Sequence, residues 1–390
     1  MFRHDAAHTG VADSSGPTRT PVEIWRYNIG DIIESSPAVV EGVLYIGSDK
    51  GIYAINASTG DHIWNNITAG GMSSPAVDNG VVYIGSAGGF VQAFNASTGT
   101  QIFRHPTGGQ GVSASPLVIN DGVYIGVGLL MRLNTSTGHP TWTYRAQDSS
   151  SFETSPAVVD GIIYVGADYN IYAVNASLGT KIWNYTIEYQ PNGYIISSPS
   201  VSVGVVYIGS GSTTSTVNGQ VWAVNATSGT KMWNHTVSGG VVSSPAVFGR
   251  YVYAGAYDGT IFALDRLNGR EVWSYQTGDS IFSSPAVANG IVYVGSNDGY
   301  IYALDGQTGE KLWSYQTEGP IRSSPTIVNG VLYVGSYDGY VYALTEPTNS
   351  TPSPTIPEFP NQLLATAIFL SLLAVVSAVV ITKKRTKTKL

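Results

Sequence analysis

The string Ser-Ser-Pro-Ala-Val, or a near variant of it, recurs eight times in this chain, with its proline at Pro37, Pro75, Pro116, Pro156, Pro199, Pro245, Pro285 and Pro325. The intervals are 38, 41, 40, 43, 46, 40 and 40 residues. A period of this length means that one supersecondary unit is repeated along the chain. A second landmark, an aromatic residue closing each unit, keeps the same register at Trp25, Trp64, Phe103, Trp142, Trp183, Trp233, Trp273 and Trp313. Seven of the eight tryptophans therefore hold one structural position. The other, Trp222, stands where the remaining units have Tyr or Phe.

Residues 281–315 show the unit most plainly. Ser-Ser-Pro-Ala-Val is a first strand, and Gly290-Ile-Val-Tyr-Val-Gly295 alternates with period 2 as a second. Asn297-Asp298-Gly299 predicts a tight hairpin, because Asp-Gly accommodates the positive φ of a type I′ turn. Tyr300–Leu304 reads as the third strand, Asp305–Gly309 turns again, and Lys311–Tyr315 is the fourth. Four short strands in about forty residues is the period of a propeller blade. A solenoid is the competing architecture, and it would need distinct caps at both ends. The ends of this chain indicate a ring instead. The last unit, Ser323 to Leu344, has three strands only, and the chain opens with a lone strand of the missing kind, Val22-Glu-Ile-Trp25-Arg-Tyr27. Borrowing that strand completes the eighth unit and leaves no free sheet edge. The predicted fold is all-β: an eight-bladed propeller closed by its N-terminal strand, plus one C-terminal transmembrane helix.

The pattern Ala-x-Asn/Asp-x-x-x-Gly-x-x-x-Trp occurs at Ala54/Asn56/Gly60/Trp64, Ala173/Asn175/Gly179/Trp183, Ala223/Asn225/Gly229/Trp233, Ala263/Asp265/Gly269/Trp273 and Ala303/Asp305/Gly309/Trp313. It resembles the tryptophan-docking motif of the pyrroloquinoline quinone (PQQ)-like propeller repeats, over about residues 1–344. The resemblance implies that Trp25, Trp64, Trp142, Trp183, Trp233, Trp273 and Trp313 dock between neighbouring blades against a small Ala. The departures are Phe103 for Trp in blade 2 and Arg132 for Ala in blade 3, which also lacks the Asp-Gly turn. The opening Phe2-Arg-His-Asp-Ala-Ala-His-Thr-Gly10 is similar to the segment that archaeal cell-surface members carry after a signal peptide. The family's quinone enzymes are longer, and hold calcium and PQQ at the axis with an Asp base, often over adjacent cysteines.

Little in the residues matches such chemistry. The chain has no cysteine, which excludes disulfides, thiolate metal sites, CxxC redox pairs and a cysteine nucleophile. A net charge of −7 argues against a nucleic-acid partner, which would need clustered Lys/Arg. Asp49, Asp258, Asp298 and Asp338 adjoin turn glycines and read as turn formers. His4 and His8 are four apart in an ordinary surface segment, and no metal site is assigned to them. No catalytic, cofactor-binding or metal-binding residue is predicted, and no cofactor.

Antiparallel strands place the inter-blade loops and the second-to-third-strand loops on one face. Length variation gathers there, in Arg145–Phe152, Tyr185–Ile196 and Gly211–Gly219. Loops carry function on rigid scaffolds. The residues before each Ser-Ser-Pro rim the axis on that face: Glu34, Met72, Ser113, Glu153, Ile196, Val242, Phe282 and Arg322. Glu34, Glu153 and Arg322, with Tyr189 and Asn192 from the long loop, form the candidate ligand face. The plain alternative for the rim charges is a solvated edge with an ion pair between blades 8 and 1.

Nine Asn-x-Ser/Thr sequons occur, several of which double as Asn-Ala-Ser-Thr-Gly turns. Asn66, Asn184 and Asn234 fall in fourth strands and Asn349 beyond the last unit; these are the candidate glycosylation sites. Thr345 to Pro360 is a Pro/Ser/Thr-rich stalk. Leu363 to Ile381 is uncharged for 19 residues, long enough as a helix to cross a bilayer, and Lys383, Lys384, Arg385, Lys387 and Lys389 follow it. Positive residues stay on the cytoplasmic side, so the propeller is expected outside the cell membrane. Residues 1–20 contain no apolar export signal, so the true N-terminal signal peptide is expected to be missing. Pro357-Glu-Phe-Pro360 resembles the PEF-type sorting signals of archaea. The expected layout is an N-terminal extension (1–20), propeller (21–344), stalk (345–361), transmembrane helix (362–382) and basic cytoplasmic tail (383–390). The expected function is a non-catalytic, membrane-tethered cell-surface scaffold that binds a protein or glycan. The alternative is an enzyme, either PQQ-dependent dehydrogenase-like or carbohydrate-active, working on the long-loop face.

Overall fold

The structure, a computed structural model, describes residues 5–67, 70–71, 73–109, 111–148, 151–188, 193–213 and 218–347. They form eight antiparallel sheets, seven of four strands and one of five. Blades 1 to 7 follow chain order, starting from the first strands Ala38–Val40, Ala76–Asp78, Leu117–Ile119, Ala157–Val159, Ser200–Ser202, Ala246–Phe248 and Ala286–Ala288. In blade 8 the strands Thr326–Val328, Val331–Gly335 and Tyr340–Thr345 are completed by Val22–Asn28, the N-terminal strand. It pairs antiparallel with Tyr340–Thr345, Trp25 opposite Ala343, as the lone strand predicts. The first strand of blade 1 lies beside that of blade 8, so the ring is closed.

Two side-chain hydroxyls, present in every repeat but that of blade 3 and supplied by Thr154 and Ser155 in blade 4, explain why the ring holds its spacing. The first hydroxyl accepts from a glycine N–H twelve residues on in its own blade, as Ser35 does from Gly47 and Ser323 from Gly335. The second accepts from the backbone of the blade before it. The N–H of Ser36 donates to Ser74 Oγ, and the relay continues through Ser115, Ser155, Ser198, Ser244, Ser284 and Ser324 back to Ser36, every link 2.8–3.0 Å long. Each link satisfies a buried N–H that the sheet ladders leave over. Blade 3 has Ala114 in the first position and lacks only the internal bond.

The core is divided among eight apolar clusters, each shared by two neighbouring blades. That between blades 8 and 1 gathers Trp25, Tyr333, Val341, Ile46 and Ile55. The tryptophans lie in these seams. Trp64 Nε1 of blade 1 donates to the Ala96 carbonyl of blade 2 at 2.7 Å, and Tyr45, also of blade 1, donates to that carbonyl at 3.2 Å. Trp25 with Tyr333 on Ala57, and Trp273 with Tyr253 on Gly306, repeat the arrangement. The motif glycine lies under the ring: a Cβ on Gly60 would come within 2.8 Å of Trp25, and its φ is +77°. Blade 3 docks despite its departures, because Trp142 still reaches the Ala176 carbonyl at 3.0 Å. Arg132, in the place of Ala, bonds Tyr124, Thr141 and Asp121 at the rim.

Blade 8 has no turn between its third and fourth strands, since those strands come from opposite ends of the chain. Pro17 fills the vacancy: its carbonyl receives Trp313 Nε1 at 2.9 Å and the Tyr293 hydroxyl at 3.0 Å. Gly16 lies so close to Tyr293 that a Cβ would approach its oxygen to 2.7 Å.

The N-terminal extension differs most from what the sequence predicts. Around His8, which is 1% exposed, it is no surface segment. Residues 6–12 run as a strap inside the ring along the axial edges of the first strands. The carbonyls of Ala6, Ala7, Thr9 and Gly10 accept from the N–H groups of Val158, Val201, Val247 and Val287, at 2.7–2.8 Å, on blades 4, 5, 6 and 7 in turn. Ser14 then reaches Asn329 of blade 8, and Arg19 pairs with Glu346. No helix among the described residues is long and apolar enough to cross a membrane. The expected transmembrane helix, tail and Asn349 lie outside the described residues.

Candidate functional site on the loop face

Carboxylates of the second-to-third-strand turns in the regular blades are committed to structure. Asp298 Oδ1 accepts from the N–H of Tyr300 at 2.9 Å, while Oδ2 accepts from the Tyr302 hydroxyl and the Gly278 N–H, both at 2.7 Å. Asp338 does the same with Tyr340, Tyr342 and Glu318. Each Asp thus ties its own turn to the preceding inter-blade loop, in keeping with turn chemistry. Burial, reinforced by the neighbouring carboxylate, pushes the Tyr302 and Tyr342 hydroxyls far above the ordinary phenol range.

The rim divides into two arcs. Over blades 7, 8 and 1, Arg322 bonds Glu34 at 3.0 Å and Asn297 at 3.2 Å. Its guanidinium lies over the rings of Phe282 and Tyr337, 4.2 and 4.9 Å from their centroids. Cation–π contacts of this kind hold Arg well because its plane stacks on the ring. Burial raises the Glu34 carboxyl above its usual range, and the Arg322 charge only partly offsets this. The ion pair between blades 8 and 1 is present.

Glu153 stands in a different setting, over blades 3 to 5. It is exposed, and its carboxylate accepts from Ser151 Oγ at 3.3 Å. Two cavities, of about 230 and 300 Å³, meet at Glu153 and Ser113. The first is lined also by Ser151, Asp168 and Tyr194, the second by Gly111 and Gly128. Asp168 organises this arc from a left-handed turn at φ +46°. Its carboxylate accepts from the Ser151 N–H at 3.0 Å, and its carbonyl from Ile195 at 2.7 Å. The Arg145–Phe152 loop is anchored by Phe152, fully buried with its ring 5.2 Å from that of Tyr172, and by Asp148, which accepts from Asn170 and Tyr172. The connection to blade 5 adds a short strand, Tyr194–Ile195, to that blade's edge.

Among the predicted residues, the structure brings Glu34 and Arg322 together and places Glu153 apart from both. No hydrogen bond, ion pair or cavity joins Glu34 to Glu153 among the described residues. Tyr189 and Asn192 lie outside the described residues, as does Met72. Asp168 and Ser151 were not singled out by the sequence. The available signal was that Ala167-Asp168-Tyr169-Asn170 replaces the Asp-Gly turn of blades 6 to 8. Asn56, Asn95, Asn134, Asn175 and Asn225 each cap a turn, accepting from the backbone two and three residues on. Asn184 is exposed on its outer strand, and Asn66 and Asn234 are half-buried.

Eight blades closed in a ring, seven seams docked through an aromatic and its glycine and the eighth through Trp313 on Pro17, define a propeller of the PQQ-repeat class. The family model described as outer membrane protein assembly factor BamB matches residues 18–126, 106–217, 200–285 and 278–350, and the chain belongs to that family. Among solved structures, BamB from Moraxella catarrhalis superposes with a TM-score of 0.72 at 20% identity, covering 84% of this chain and all of that one. A europium-containing methanol dehydrogenase gives 0.71 at 13% identity, over 88% of this chain and 97% of that one. At these identities the likeness is one of fold. Among curated proteins, the tetrathionate hydrolase of Acidithiobacillus ferrooxidans is 26% identical over 42% of this chain and 37% of its own. A quinohemoprotein alcohol dehydrogenase of Comamonas testosteroni is 31% identical over 29% of this chain and 18% of its own. The matched stretches thus span well under half of those relatives.

For a metal-held quinone to sit at the axis, several carboxylate or amide donors must converge. The described residues contain no group of three His, Asp or Glu side chains placed to hold an ion. The rim carboxylate at blade 1 is instead spent on Arg322. These residues do not fit such a group, and no step is derived through it.

Proposed function

We propose that the chain is a non-catalytic binding platform, tethered to the cell membrane with its propeller outside, which engages a protein or glycan through the loop face over blades 3 to 5. The carrying observation is the contrast along the rim. Over blades 7, 8 and 1 the polar groups are bonded to one another, whereas around Glu153 two adjoining cavities open beside an exposed carboxylate. The family description, outer membrane protein assembly factor, is in keeping with a scaffold, while the superposition with BamB is a likeness of fold alone. The tether rests on the uncharged run 363–381 and the basic residues behind it. Its archaeal character rests on the Pro357-Glu-Phe-Pro360 resemblance, and outside-facing sequons at Asn66, Asn184, Asn234 and Asn349 would carry glycans.

The test places a photo-crosslinking amino acid at Ser113 or, on the opposite face, at Asn120, in cells expressing the full chain. Crosslinks to a defined polypeptide or glycan from Ser113 and none from Asn120 are expected; equal crosslinking from both, or none, contradicts the assignment. Alkaline carbonate extraction tests the tether, with the chain expected in the pellet. The enzyme alternative is favoured by the likeness to methanol dehydrogenase. Titrating the purified chain with PQQ and calcium decides it: a bound-quinone absorbance band supports the enzyme, and a flat titration the platform.

A further inference from the structure

The strap leaves part of the ring unserved. On blades 4 to 7 the central valine of each first strand gives its axial N–H to a strap carbonyl, and Val158, Val201, Val247 and Val287 are 0–5% exposed. Val39 and Val77 occupy the same positions on blades 1 and 2. Among the described residues no acceptor meets their N–H groups, and both side chains are half-buried. An open strand edge of this kind pairs readily with an added extended chain.

Two cavities lie against the first strands of blades 1 and 2 and share Val40. A cavity of about 360 Å³ is bounded by Asp13 and Ser14 of the strap, by Pro37 to Val40, and by Ile327. A second, of about 480 Å³, begins at Val40 and runs into the seam between blades 1 and 2, past Tyr45, Ile63 and Val77. The strap itself leaves the ring by the corresponding seam between blades 7 and 8, where Gly16 and Pro17 lie on Tyr293. The open groove carries Asp13, Glu41 and Asp78 and is lined by no cationic side chain.

We propose that this groove binds an extended, positively charged peptide segment, which pairs with the first strands of blades 1 and 2 as the strap pairs with blades 4 to 7. Small residues lie against the blade edges, as Ala6 and Ala7 do in the strap, and lysine or arginine meets the carboxylates of Asp13, Glu41 and Asp78. The site is on the face opposite the Glu153 arc and is independent of the proposal made for that arc.

The probe is a fluorescein-labelled peptide, Lys-Ala-Ala-His-Thr-Gly-Val-Ala-Lys, which places the strap sequence between two lysines. Fluorescence anisotropy against the purified full chain is expected to show saturable one-to-one binding. A probe with glutamate at both ends, or one N-methylated at its last alanine, is expected to bind about tenfold more weakly. Val39→Pro removes the pairing N–H on an edge strand that tolerates proline. It is expected to weaken the lysine probe by about the same factor with an unchanged melting temperature. If Val39→Pro fails to fold, the N-methylated probe decides. No binding, or equal binding of the lysine and glutamate probes, overturns the proposal. So does a dimer of the wild-type chain that excludes the probe, since the occupant would then be a second copy.

Discussion

Val39 in blade 1 and Val247 in blade 6 hold the same place in the same repeat, yet Val247 is 4% exposed and Val39 is only half-buried. Their strands, ladders and serine links match. What separates them is residues 6–12, which belong to no repeat and cover one arc of the axis while leaving the other open. The repeat therefore builds a symmetric ring, and a short non-repeating segment makes it asymmetric. A β-edge that faces the axis is a hydrogen-bonding resource, and among the described residues the strap uses the edges of blades 4 to 7.

The largest way to break the comparison is to delete residues 1–17. Blades 4 to 7 lose strap hydrogen bonds, and Trp313 and Tyr293 lose their acceptor. At about 1 kcal/mol per bond, a loss on the order of 5 kcal/mol is expected in a denaturant titration. The Trp/Tyr pair on Pro17 can be set against the seam closed by phenylalanine. Trp313 is 3% exposed and hydrogen-bonded, whereas Phe103 is half-buried and has no ring N–H. Trp313→Ala should cost about 3–5 kcal/mol in chemical denaturation, and Phe103→Ala about 1 kcal/mol less.

Smaller changes sharpen the contrast between closure and repetition. Ser36 Oγ accepts the Ser324 N–H, the link that joins blade 8 to blade 1. Ser36→Ala leaves that N–H without its acceptor and is expected to lower stability by about 1–3 kcal/mol, with faster amide exchange at Ser324. The smallest effect separates two chemistries at one turn. Asp305 in blade 7 accepts from the Thr308 and Gln307 N–H groups, and these bonds hold its carboxyl below the ordinary 3.8. Its contribution is present above that value and is lost as pH falls through the depressed one. Asp305→Ala should therefore cost about 1 kcal/mol at neutral pH and nothing once the carboxyl is protonated, whereas Asn95→Ala at the same turn in blade 2 should cost the same at both. Melting curves at neutral and strongly acidic pH check the pair.

The ring was legible because its determinants repeat. A lone Trp25 strand facing a last unit without one indicates closure, and the Asp-Gly turns form where expected, although with positive φ at Gly299 alone and not at Asp298, so they are not the type I′ turns that the sequence suggests. The Ser-Ser doublet was legible as a landmark, but its role as an inter-blade relay depends on which serine of a neighbour lies opposite, which no single repeat encodes. The rim pair of Glu34 and Arg322 followed from counting residues back from each Ser-Ser-Pro. The Asp168 turn did not, because it departs from the repeat and takes its partners from two inserted loops. The strap was missed for a similar reason. Ala6, Ala7, Thr9 and Gly10 carry no periodic apolar pattern, and their burial comes wholly from the edges they meet.

Backbone amide exchange on the intact chain compares the two arcs most directly. The N–H groups of Val158, Val201, Val247 and Val287 should exchange slowly under the strap, while those of Val39 and Val77, in otherwise equivalent strands, exchange much faster. Equal protection at all six positions would mean that the axial edge is closed all round, and would contradict the account.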